Sequence, residues 1–570
     1  MINPAAAWSA AEQAASALGP EADLLARTDP ADLGLSLATV LARSAKHPAQ
    51  VVDAARSFAS TMTRLAPAST ARAIGRKSEA PLPEDPSDRR FADRAWTENA
   101  SFFAMRQTYL AVARMGKDLL AAGAGDPMAD GKASLAWAFL VDAIAPTNFL
   151  FSNPAALVRA VQTGGCSVAA GARNFVSDLI HNGGRPRQVD ARSFEVGRNL
   201  AATPGKVVYR NALMELIQYA PQTERVHAVP LLASPPWINK YYVMDLAPQR
   251  SFIEWAVQHA HTVFAISYCN PDASMREITM DDYLIHGPRA ARDVMTDITG
   301  SQVIDIVGLC LGGAMTAMTA AHLAETGEKR IGTITLLNTL LDYSEPGALG
   351  IFTDEKVVKR LEKQMAKTGF LEGSQMARTF DLLRPNDLIF NYVVSNWLLG
   401  EPPPAFDILA WNADNTRMPA AMHAFYLRSL YGKNLLAKGE LSFAGVPLQL
   451  TDIRSDAYVV GAINDHIVPW RTSYRATQLL GGSVRYVLSS GGHIAGIVNP
   501  PNPKAWYETA ALNPPDARDW RIDAERHAGS WWADWAEWAG QRAGELVAPP
   551  PMGSVAHPPQ GDAPGQYVHG

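Results

Sequence analysis

The sequence VIDIVGLCLGGAMTAMTAAHLAE, residues 303–325, predicts a strand, a tight turn and a helix in direct succession. Its β-branched first part is typical of a buried strand, and its Ala- and Met-rich last part is typical of a helix. The turn between them, GLCLGG (308–313), has the G-x-nucleophile-x-G spacing, with Cys310 where serine is more usual. We therefore expect Cys310 to lie at the tip of this turn, with the backbone N–H of Leu311 as an oxyanion donor.

The plainer interpretation of this motif is a buried cysteine in a glycine-containing turn, because short glycine motifs recur by chance. A reactive cysteine has a physical basis at this position, since the N-terminus of a helix favours the negative charge of a thiolate or an oxyanion. The motif alone leaves both interpretations open. The choice between them depends on partners elsewhere in the chain.

Two later strand ends supply candidate partners. The predicted strand DAYVVGAI runs into Asp465, and the predicted strand VRYVLSS runs into His493. In an α/β-hydrolase fold the acid and the histidine follow the nucleophile in this order, each in a loop after a strand. Order and placement therefore predict a catalytic triad of Cys310, His493 and Asp465. His466 is the chain neighbour of Asp465, and we expect it to support the loop.

The loop after the predicted strand VPLLAS is a second candidate oxyanion element. It reads Pro-Pro-Trp-Ile-Asn-Lys, residues 235–240. Enzymes of this fold place their second oxyanion donor after the third strand, which makes the backbone N–H of Trp237 or Ile238 a candidate. A rigid turn without a catalytic role explains the same residues equally well.

Strand and helix patterns alternate after about residue 195, which predicts a mostly parallel sheet covered by helices. The fold class is therefore α/β: an α/β-hydrolase fold with a lid insertion, preceded by a helical N-terminal region. The predicted boundaries are a helical region at 1–190, a catalytic domain at 191–545 with a lid insertion at about 343–446, and a flexible Pro- and Gly-rich tail at 546–570. The predicted strands are VVYR (207–210), MELIQYA (214–220), VPLLAS (229–234), TVFAISY (262–268), VIDIVGL (303–309), GTITLLNT (332–339), DAYVVGAI (456–463) and VRYVLSS (484–490).

Composition excludes several classes of protein. The 570 residues include 51 Lys and Arg against 56 Asp and Glu, a net charge of −5, so nucleic acid is not expected as the main partner. Three cysteines cannot form a disulfide scaffold, which favours a reducing compartment. No metal-binding motif or phosphate loop occurs, and neither a secretory signal nor an apolar run of membrane-spanning length is found. We therefore expect no metal and no transmembrane segment.

Several long motifs give the chain a specific resemblance. It resembles the polyhydroxyalkanoate (poly-3-hydroxybutyrate) synthases, and its length and helical N-terminal region are similar to the single-subunit, class I-like members. The motifs cover about 88 to 538, most of the chain. They are DRRFADRAWTEN (88–99), PTNFLFSNPAAL (146–157), SPPWINKYYVMDL (234–246), GLCLGG (308–313), FDILAWNADNTRMP (406–419), NDHIVPW (464–470), SSGGHIAGIVNPP (489–501) and SWWADWAEW (530–538).

The resemblance implies a polymerising acyltransferase. Such an enzyme joins (R)-3-hydroxyacyl-CoA units into a polyester and releases CoA through a cysteine acyl-enzyme. It implies Cys310 as nucleophile, His493 as general base and Asp465 as its acid partner, and it matches Trp411 to a lid position linked to assembly and activity. It also implies a cytoplasmic, granule-associated homodimer, possible contacts with granule-associated proteins, and no cofactor, since CoA is a leaving group of the substrate.

One stretch departs from the family pattern. Residues 267–271 read Ser-Tyr-Cys-Asn-Pro where the family often has Ser-Trp-Arg-Asn-Pro, which changes the shape expected there and bears on monomer length. Cys269 lies in this stretch, and a small, partly buried side chain is the favoured interpretation. Two other functions remain open: a cysteine-nucleophile thioesterase or polyester depolymerase, and a non-catalytic granule-coating protein. Short monomers are preferred over medium ones.

Overall fold

The structure is a computed structural model that describes residues 30–328 and 330–570. The chain divides into two compact units. The first contains the described residues up to Asp190 together with Gln375–Ala405, and the second contains Ala191–Ser374 and Phe406–Gly570. The part of the predicted helical region at residues 1–29 lies outside the described residues.

The first unit is helical, and residues 30–190 contain no strand. Its helices begin at residues suited to that position: Pro48, Pro127 and Pro154 start helices without losing a hydrogen bond, and the Asn99 side chain accepts from two backbone N–H groups. The helices are Pro30–Ser44, Pro48–Ala73, Ala95–Glu98, Ala100–Ala122, Pro127–Ala143, Pro154–Gln162 and Cys166–His181.

The middle of the predicted lid insertion belongs to this first unit. It contributes most of the helix Gly373–Leu383 and the π-helical segments Asn386–Phe390 and Val393–Leu398. The single lid at 343–446 is therefore corrected, because apolar side chains of its middle part are buried in the core of the helical unit. That shared core includes Leu33, Leu37, Val40, Leu120, Leu382, Ile389, Phe390, Val393 and Trp397.

Within the described part of the second unit, eleven strands form one sheet. All eight strands predicted from the sequence are present, and the last three strands were not predicted. The strands are β1 (Gly205–Arg210), β2 (Met214–Tyr219), β3 (Leu231–Ser234), β4 (Val263–Tyr268), β5 (Ile304–Leu309), β6 (Ile331–Leu337), β7 (Asp456–Ala462), β8 (Val484–Ser489), β9 (Trp506–Thr509), β10 (Glu525–Ala528) and β11 (Gly561–Asp562).

The order of the strands is β10-β9-β8-β7-β6-β5-β3-β4-β2-β1-β11. Neighbours from β4 through β3, β5, β6 and β7 to β8 are parallel, and the outer pairs are antiparallel. The carboxyl ends of parallel strands meet at one edge, so the loops after β3, β5, β6, β7 and β8 converge there. Short two-stranded ribbons join Val226–His227 to Leu546–Val547, Phe370–Leu371 to Met418–Pro419, and Ser442–Phe443 to Val446–Pro447.

Helices flank this sheet. The helix Leu311–Glu325 follows β5 directly, and its residues from Leu311 to Leu323 are all buried. A helix that is apolar on every side is typical of a core position. The helices of this unit are Phe252–Gln258, Met280–Leu284, Ala290–Thr299, Leu311–Glu325, Glu355–Thr368, Asp407–Ala413, Ala420–Phe425, Leu435–Lys438, Trp470–Tyr474, Ala476–Leu479, Ala517–Asp523 and Trp531–Gly540.

The segment after residue 546 differs from the flexible tail that its composition predicts. Its strand β11 pairs with β1, and buried polar side chains of the sheet domain hold the residues beyond it. Glu215 accepts hydrogen bonds from the backbone N–H groups of Gln566 and Tyr567, at 2.8 and 2.9 Å. Lys240 donates to the carbonyl oxygens of Val568 and Gly570, both at 2.8 Å. These long-range partners cannot be recognised from a Pro- and Gly-rich composition.

Candidate active site

Cys310 lies at a strained turn between β5 and the helix Leu311–Glu325. Its backbone has φ 53° and ψ −113°, and positive φ is rare for a residue with a side chain. The backbone N–H of Cys310 donates to the carbonyl of Leu337 at 2.8 Å, so the neighbouring strand β6 supports the turn. Strain of this kind persists only where the surroundings enforce it, and it is frequent at functional sites.

Three glycines allow the turn to be this tight. A Cβ atom on Gly308 would lie 2.5 Å from the Cα of Gly313, which is closer than carbon atoms tolerate. On Gly312 it would overlap the backbone carbonyl of Ser234, and on Gly313 it would overlap the side chain of Thr339. The G-x-C-x-G-G pattern thus follows from close packing of β3, β5 and the helix around Cys310.

Asp465 and His493 lie in the loops after β7 and β8, as the sequence predicts, and both are buried. The Nδ1 atom of His493 is 2.6 Å from Oδ2 of Asp465. The other carboxylate oxygen, Oδ1, accepts from the backbone N–H groups of Ile467 and Val468 at 2.9 and 2.8 Å. The carboxylate is therefore held in one orientation, and through it the imidazole ring.

The imidazole of His493 joins Asp465 to Cys310. Burial by itself lowers the pKa of His493, but the charges of Asp465 and Cys310, with hydrogen bonds to both side chains, raise it to about 10. A protonated His493 imidazole is thereby favoured near neutral pH. The side-chain N–H of Asn338 donates to the backbone carbonyl of His493 at 2.6 Å and steadies the loop. The structure thus brings the three predicted triad residues together.

The predicted oxyanion elements also lie beside the turn. Leu311 is the first residue of the helix, where backbone N–H groups have no partner within the helix. The close approach of Gly312 to Ser234 brings the start of the loop 235–240 against this helix end. Trp237 is buried in that loop, with its ring 5.8 Å from the ring of Tyr426. The roles of Leu311, Trp237 and Ile238 as oxyanion donors or substrate contacts stay predictions.

The remaining predicted residues lie around this centre. His466 is half-buried in the turn of Asp465, whose Oδ2 atom bonds to His493. Trp411 is buried and donates through Nε1 to the carbonyl of Lys240, the last residue of the loop that carries Trp237, at 2.8 Å. Cys269 is half-buried, and burial raises the pKa of its thiol to about 11, with a smaller contribution from Asp272. A thiol with that pKa is a poor nucleophile at neutral pH.

Three tyrosines that the sequence analysis did not select lie near Cys310. Burial raises the pKa of Tyr343, Tyr426 and Tyr431, and a negative charge on Cys310 raises it further in each case. Tyr343 comes shortly after the predicted strand GTITLLNT. Because loops after parallel strands meet at one edge of a sheet, this position indicates that Tyr343 lies on the same edge as Cys310. Tyr426 and Tyr431 lie in the insertion, whose helical pattern gives no indication of its neighbours.

Two classes of feature are absent from the described part of the chain. Residues 30–328 and 330–570 contain no group of three or more His, Cys, Asp or Glu side chains arranged to hold a metal ion. Over the same ranges, the helices are too short or too polar to cross a membrane.

Curated proteins are similar to this chain over nearly its full length. A poly(3-hydroxyalkanoate) polymerase of Methylorubrum extorquens is 40% identical over 557 residues, which cover 97% of this chain and 92% of the relative. Poly(3-hydroxyalkanoate) polymerase 1 of Ectopseudomonas oleovorans is 42% identical over 498 residues, covering 87% and 88%. The chain belongs to the poly(3-hydroxyalkanoate) polymerase family. Membership makes it a polymerising acyltransferase, and the resemblance drawn from its motifs is confirmed.

Two family descriptions match parts of this polymerase-family chain. "Poly-beta-hydroxybutyrate polymerase (PhaC) N-terminus" matches residues 87–256, and "alpha/beta hydrolase fold" matches residues 226–500, a range that includes all three predicted triad positions. The predicted α/β-hydrolase fold is therefore confirmed. Among solved structures, a monoacylglycerol lipase of Paleococcus ferrophilus is 14% identical with a TM-score of 0.32, covering 49% of this chain and 90% of the lipase.

Proposed function

We propose that this protein polymerises (R)-3-hydroxyacyl-CoA thioesters into a polyhydroxyalkanoate and releases CoA through an acyl-enzyme on Cys310. The observation that carries the proposal is the hydrogen bond between Asp465 and His493, whose pKa responds to the charge of Cys310 at the strained turn. A nucleophile, a base and a group that orients the base are the parts that covalent acyl transfer requires. Family membership supports a polymer as the product.

In the first step the Cys310 thiolate attacks the thioester carbonyl of the substrate. The developing negative charge on the carbonyl oxygen is met by the N–H of Leu311 and by an N–H of the loop that contains Trp237 and Ile238. The carbon–sulfur bond to CoA then breaks, and protonated His493 gives its proton to the departing CoA thiolate. The raised pKa of His493 keeps that proton available at neutral pH.

In the second step the 3-hydroxyl group of another unit attacks the acyl group on Cys310. Neutral His493 takes the hydroxyl proton as the new ester bond forms and the bond to the Cys310 sulfur breaks. The imidazolium is then paired again with the thiolate, which completes the cycle. Asp465 stabilises the imidazolium and holds its ring in position throughout. The reaction needs no cofactor, because CoA leaves with the substrate's own sulfur.

Water is the competing nucleophile in the second step. A thioesterase or polyester depolymerase would use the same three residues and let water take the acyl group. The tyrosines around Cys310 favour alcoholysis, since aromatic, largely buried surroundings disfavour bulk water at the acyl-enzyme. A non-catalytic granule-coating protein would have no need for a buried histidine paired with Asp465.

The test supplies the purified full-length protein with (R)-3-hydroxybutyryl-CoA and follows free thiol and turbidity together. We expect CoA release with polymer formation, and loss of both in Cys310→Ala. The matched control Cys269→Ala removes a thiol of high pKa and should retain activity. Thiol release with free hydroxy acid and no polymer would identify the hydrolase instead. Unchanged turnover in Cys310→Ala would exclude Cys310 from the mechanism.

A homodimer and association with storage granules in the cytoplasm are further parts of the proposal, implied by the family resemblance. Size-exclusion chromatography with light scattering, before and after substrate is added, measures the oligomeric state. Co-sedimentation with polyester granules measures granule association. A strictly monomeric active enzyme would contradict the dimer, and activity that stays in the supernatant would contradict granule association.

A further inference from the structure

Tyr343 carries a buried hydroxyl group that the protein does not satisfy. The residue is 3% exposed, and its hydroxyl oxygen has no hydrogen-bond partner among the described residues. Leaving a buried donor unpaired destabilises a folded protein, so such groups are few and each calls for an explanation. A ligand oxygen that arrives during the reaction would provide the missing partner.

The loop after β6 fixes the position of Tyr343. This loop starts beside the turn, because the carbonyl of Leu337 at the end of β6 accepts the N–H of Cys310. Its far end is anchored by Asn434, which accepts the N–H of Tyr343 at 2.8 Å and donates to Asp342 at 2.7 Å. The orientation of the backbone at Tyr343 is therefore set independently of any ligand.

The neighbours of Tyr343 leave its hydroxyl available. Its ring meets the ring of Tyr431 edge-on, with centroids 5.0 Å apart. Tyr431 is already engaged, because it shares a side-chain hydrogen bond with Tyr426. Ring contacts continue from Tyr431 to the turn: its ring lies 5.3 Å from that of Tyr426, which lies 5.8 Å from the ring of Trp237, in the loop packed against Gly312.

The sheet order indicates which substrate oxygen Tyr343 would meet. One candidate oxyanion donor lies at the start of the helix that follows β5, and the other comes from the loop after β3, on one side of β5. Tyr343 comes from the loop after β6, on the other side of β5, where Asp465 and His493 also enter after β7 and β8. A thioester carbonyl held by the oxyanion donors would leave the next oxygen along the acyl chain, on C3, on the side of Tyr343.

We propose that the Tyr343 hydroxyl donates a hydrogen bond to the C3 oxygen of the hydroxyacyl unit bound at Cys310. The inference deepens the proposed function and rests on it. It makes Tyr343 a specificity-determining residue, because a substrate without an oxygen on C3 would leave the hydroxyl unpaired. A site built to bond a substrate oxygen rejects an analogue that lacks it much more strongly than an apolar site does.

The experiment compares two thioesters that differ only in this oxygen. Dissociation constants of (R)-3-hydroxybutyryl-CoA and butyryl-CoA are measured by calorimetry on full-length Cys310→Ala, which should consume neither. We expect the hydroxylated compound to bind about tenfold more tightly, the effect of one satisfied buried donor. When Tyr343→Phe is combined with Cys310→Ala, the ratio of the two dissociation constants should fall close to one. The affinity for butyryl-CoA should stay unchanged, which verifies that the site is still folded.

The control is Tyr392→Phe, which removes the hydroxyl of a buried tyrosine in the helical unit and should preserve the tenfold ratio. If the ratio of dissociation constants is the same in Cys310→Ala and in the double variant Cys310→Ala/Tyr343→Phe, the inference is overturned. The proposed function is not affected by that result. Consumption of either thioester by Cys310→Ala overturns the proposed function, and the inference with it. The two failures are therefore distinguishable.

Discussion

Asp465 uses its two carboxylate oxygens for two different tasks, and one of them is to hold His493. Its Oδ2 atom lies 2.6 Å from Nδ1 of His493, while Oδ1 accepts the N–H groups of Ile467 and Val468. The same side chain thus shapes the turn after β7 and orients the imidazole. These tasks can be separated by substitution.

Asp465→Asn should remove activity and keep the fold. The amide oxygen can still accept from Ile467 and Val468, but the amide NH2 then faces Nδ1 of His493 and imposes the wrong tautomer. In a serine protease the equivalent change lowers kcat about 10⁴-fold, and we expect a loss of at least about 100-fold in CoA release. Asp465→Ala should be less stable than Asp465→Asn by about 1–3 kcal/mol, because the two N–H groups also lose their acceptor. Equal melting temperatures for the two variants would contradict the division of tasks.

His493 should make stability depend on pH in a defined direction. Its pKa is raised from 6.5 to about 10, so the protonated form stabilises the folded protein. That contribution is complete below about pH 6.5 and is lost as the pH rises through 10. Because Asp465→Asn removes the main attractive charge, the melting temperatures of this variant and the wild type should differ most near pH 6.5 and converge toward pH 10. A difference in melting temperature that grows with pH would contradict the raised pKa of His493 and the role of Asp465 in raising it.

Gly312→Ala should disrupt the turn through packing alone. The added methyl group would overlap the backbone carbonyls of Ser234 and Pro235, which cannot rotate away as a side chain would. We expect a loss of about 1–3 kcal/mol in unfolding free energy, with activity reduced by displacement of the loop that carries Trp237. The control Gly561→Ala meets no atom within 4 Å and should change stability by no more than about 0.5 kcal/mol. Similar losses of stability in both variants would show that steric overlap at Gly312 does not explain the effect of Gly312→Ala.

Two lysines hold the same C-terminal segment with unequal strength. Lys240 is buried and donates to Val568 and Gly570, whereas Lys206 is exposed and pairs with Asp562. Lys240→Met should leave two carbonyl oxygens without their donor and lower stability by about 1–3 kcal/mol, with faster amide hydrogen exchange over residues 561–570. Lys206→Met should change stability by less than about 1 kcal/mol, because exposed ion pairs contribute little. Unchanged exchange in Lys240→Met would mean that other contacts hold the segment.

Sequence reasoning located the central residues of the candidate site but not their surroundings. Cys310, Asp465 and His493 each follow a strand whose β-branched pattern is local, so their positions were predictable without knowledge of contacts. Asn338 and Tyr343 were not selected, although Asn338 lies near the end of the predicted strand GTITLLNT and Tyr343 follows it, because a single asparagine or tyrosine has no distinguishing spacing. The edge strand β10 was missed for a related reason: ERHA (525–528) lacks the apolar alternation that marks a strand.

The amino-acid sequence alone determined the strand–turn–helix unit around Cys310, the order of the three predicted triad residues and the family. Side-chain alternation, helical periodicity and glycine requirements act over a few neighbouring residues and can be read directly. Only the tertiary structure decided that the insertion is divided between two units, that residues 561–570 pack on the sheet domain, and that tyrosines gather near the sulfur. Those outcomes depend on buried groups such as Glu215 and Lys240 finding partners hundreds of residues away in the chain, and no local pattern records that pairing.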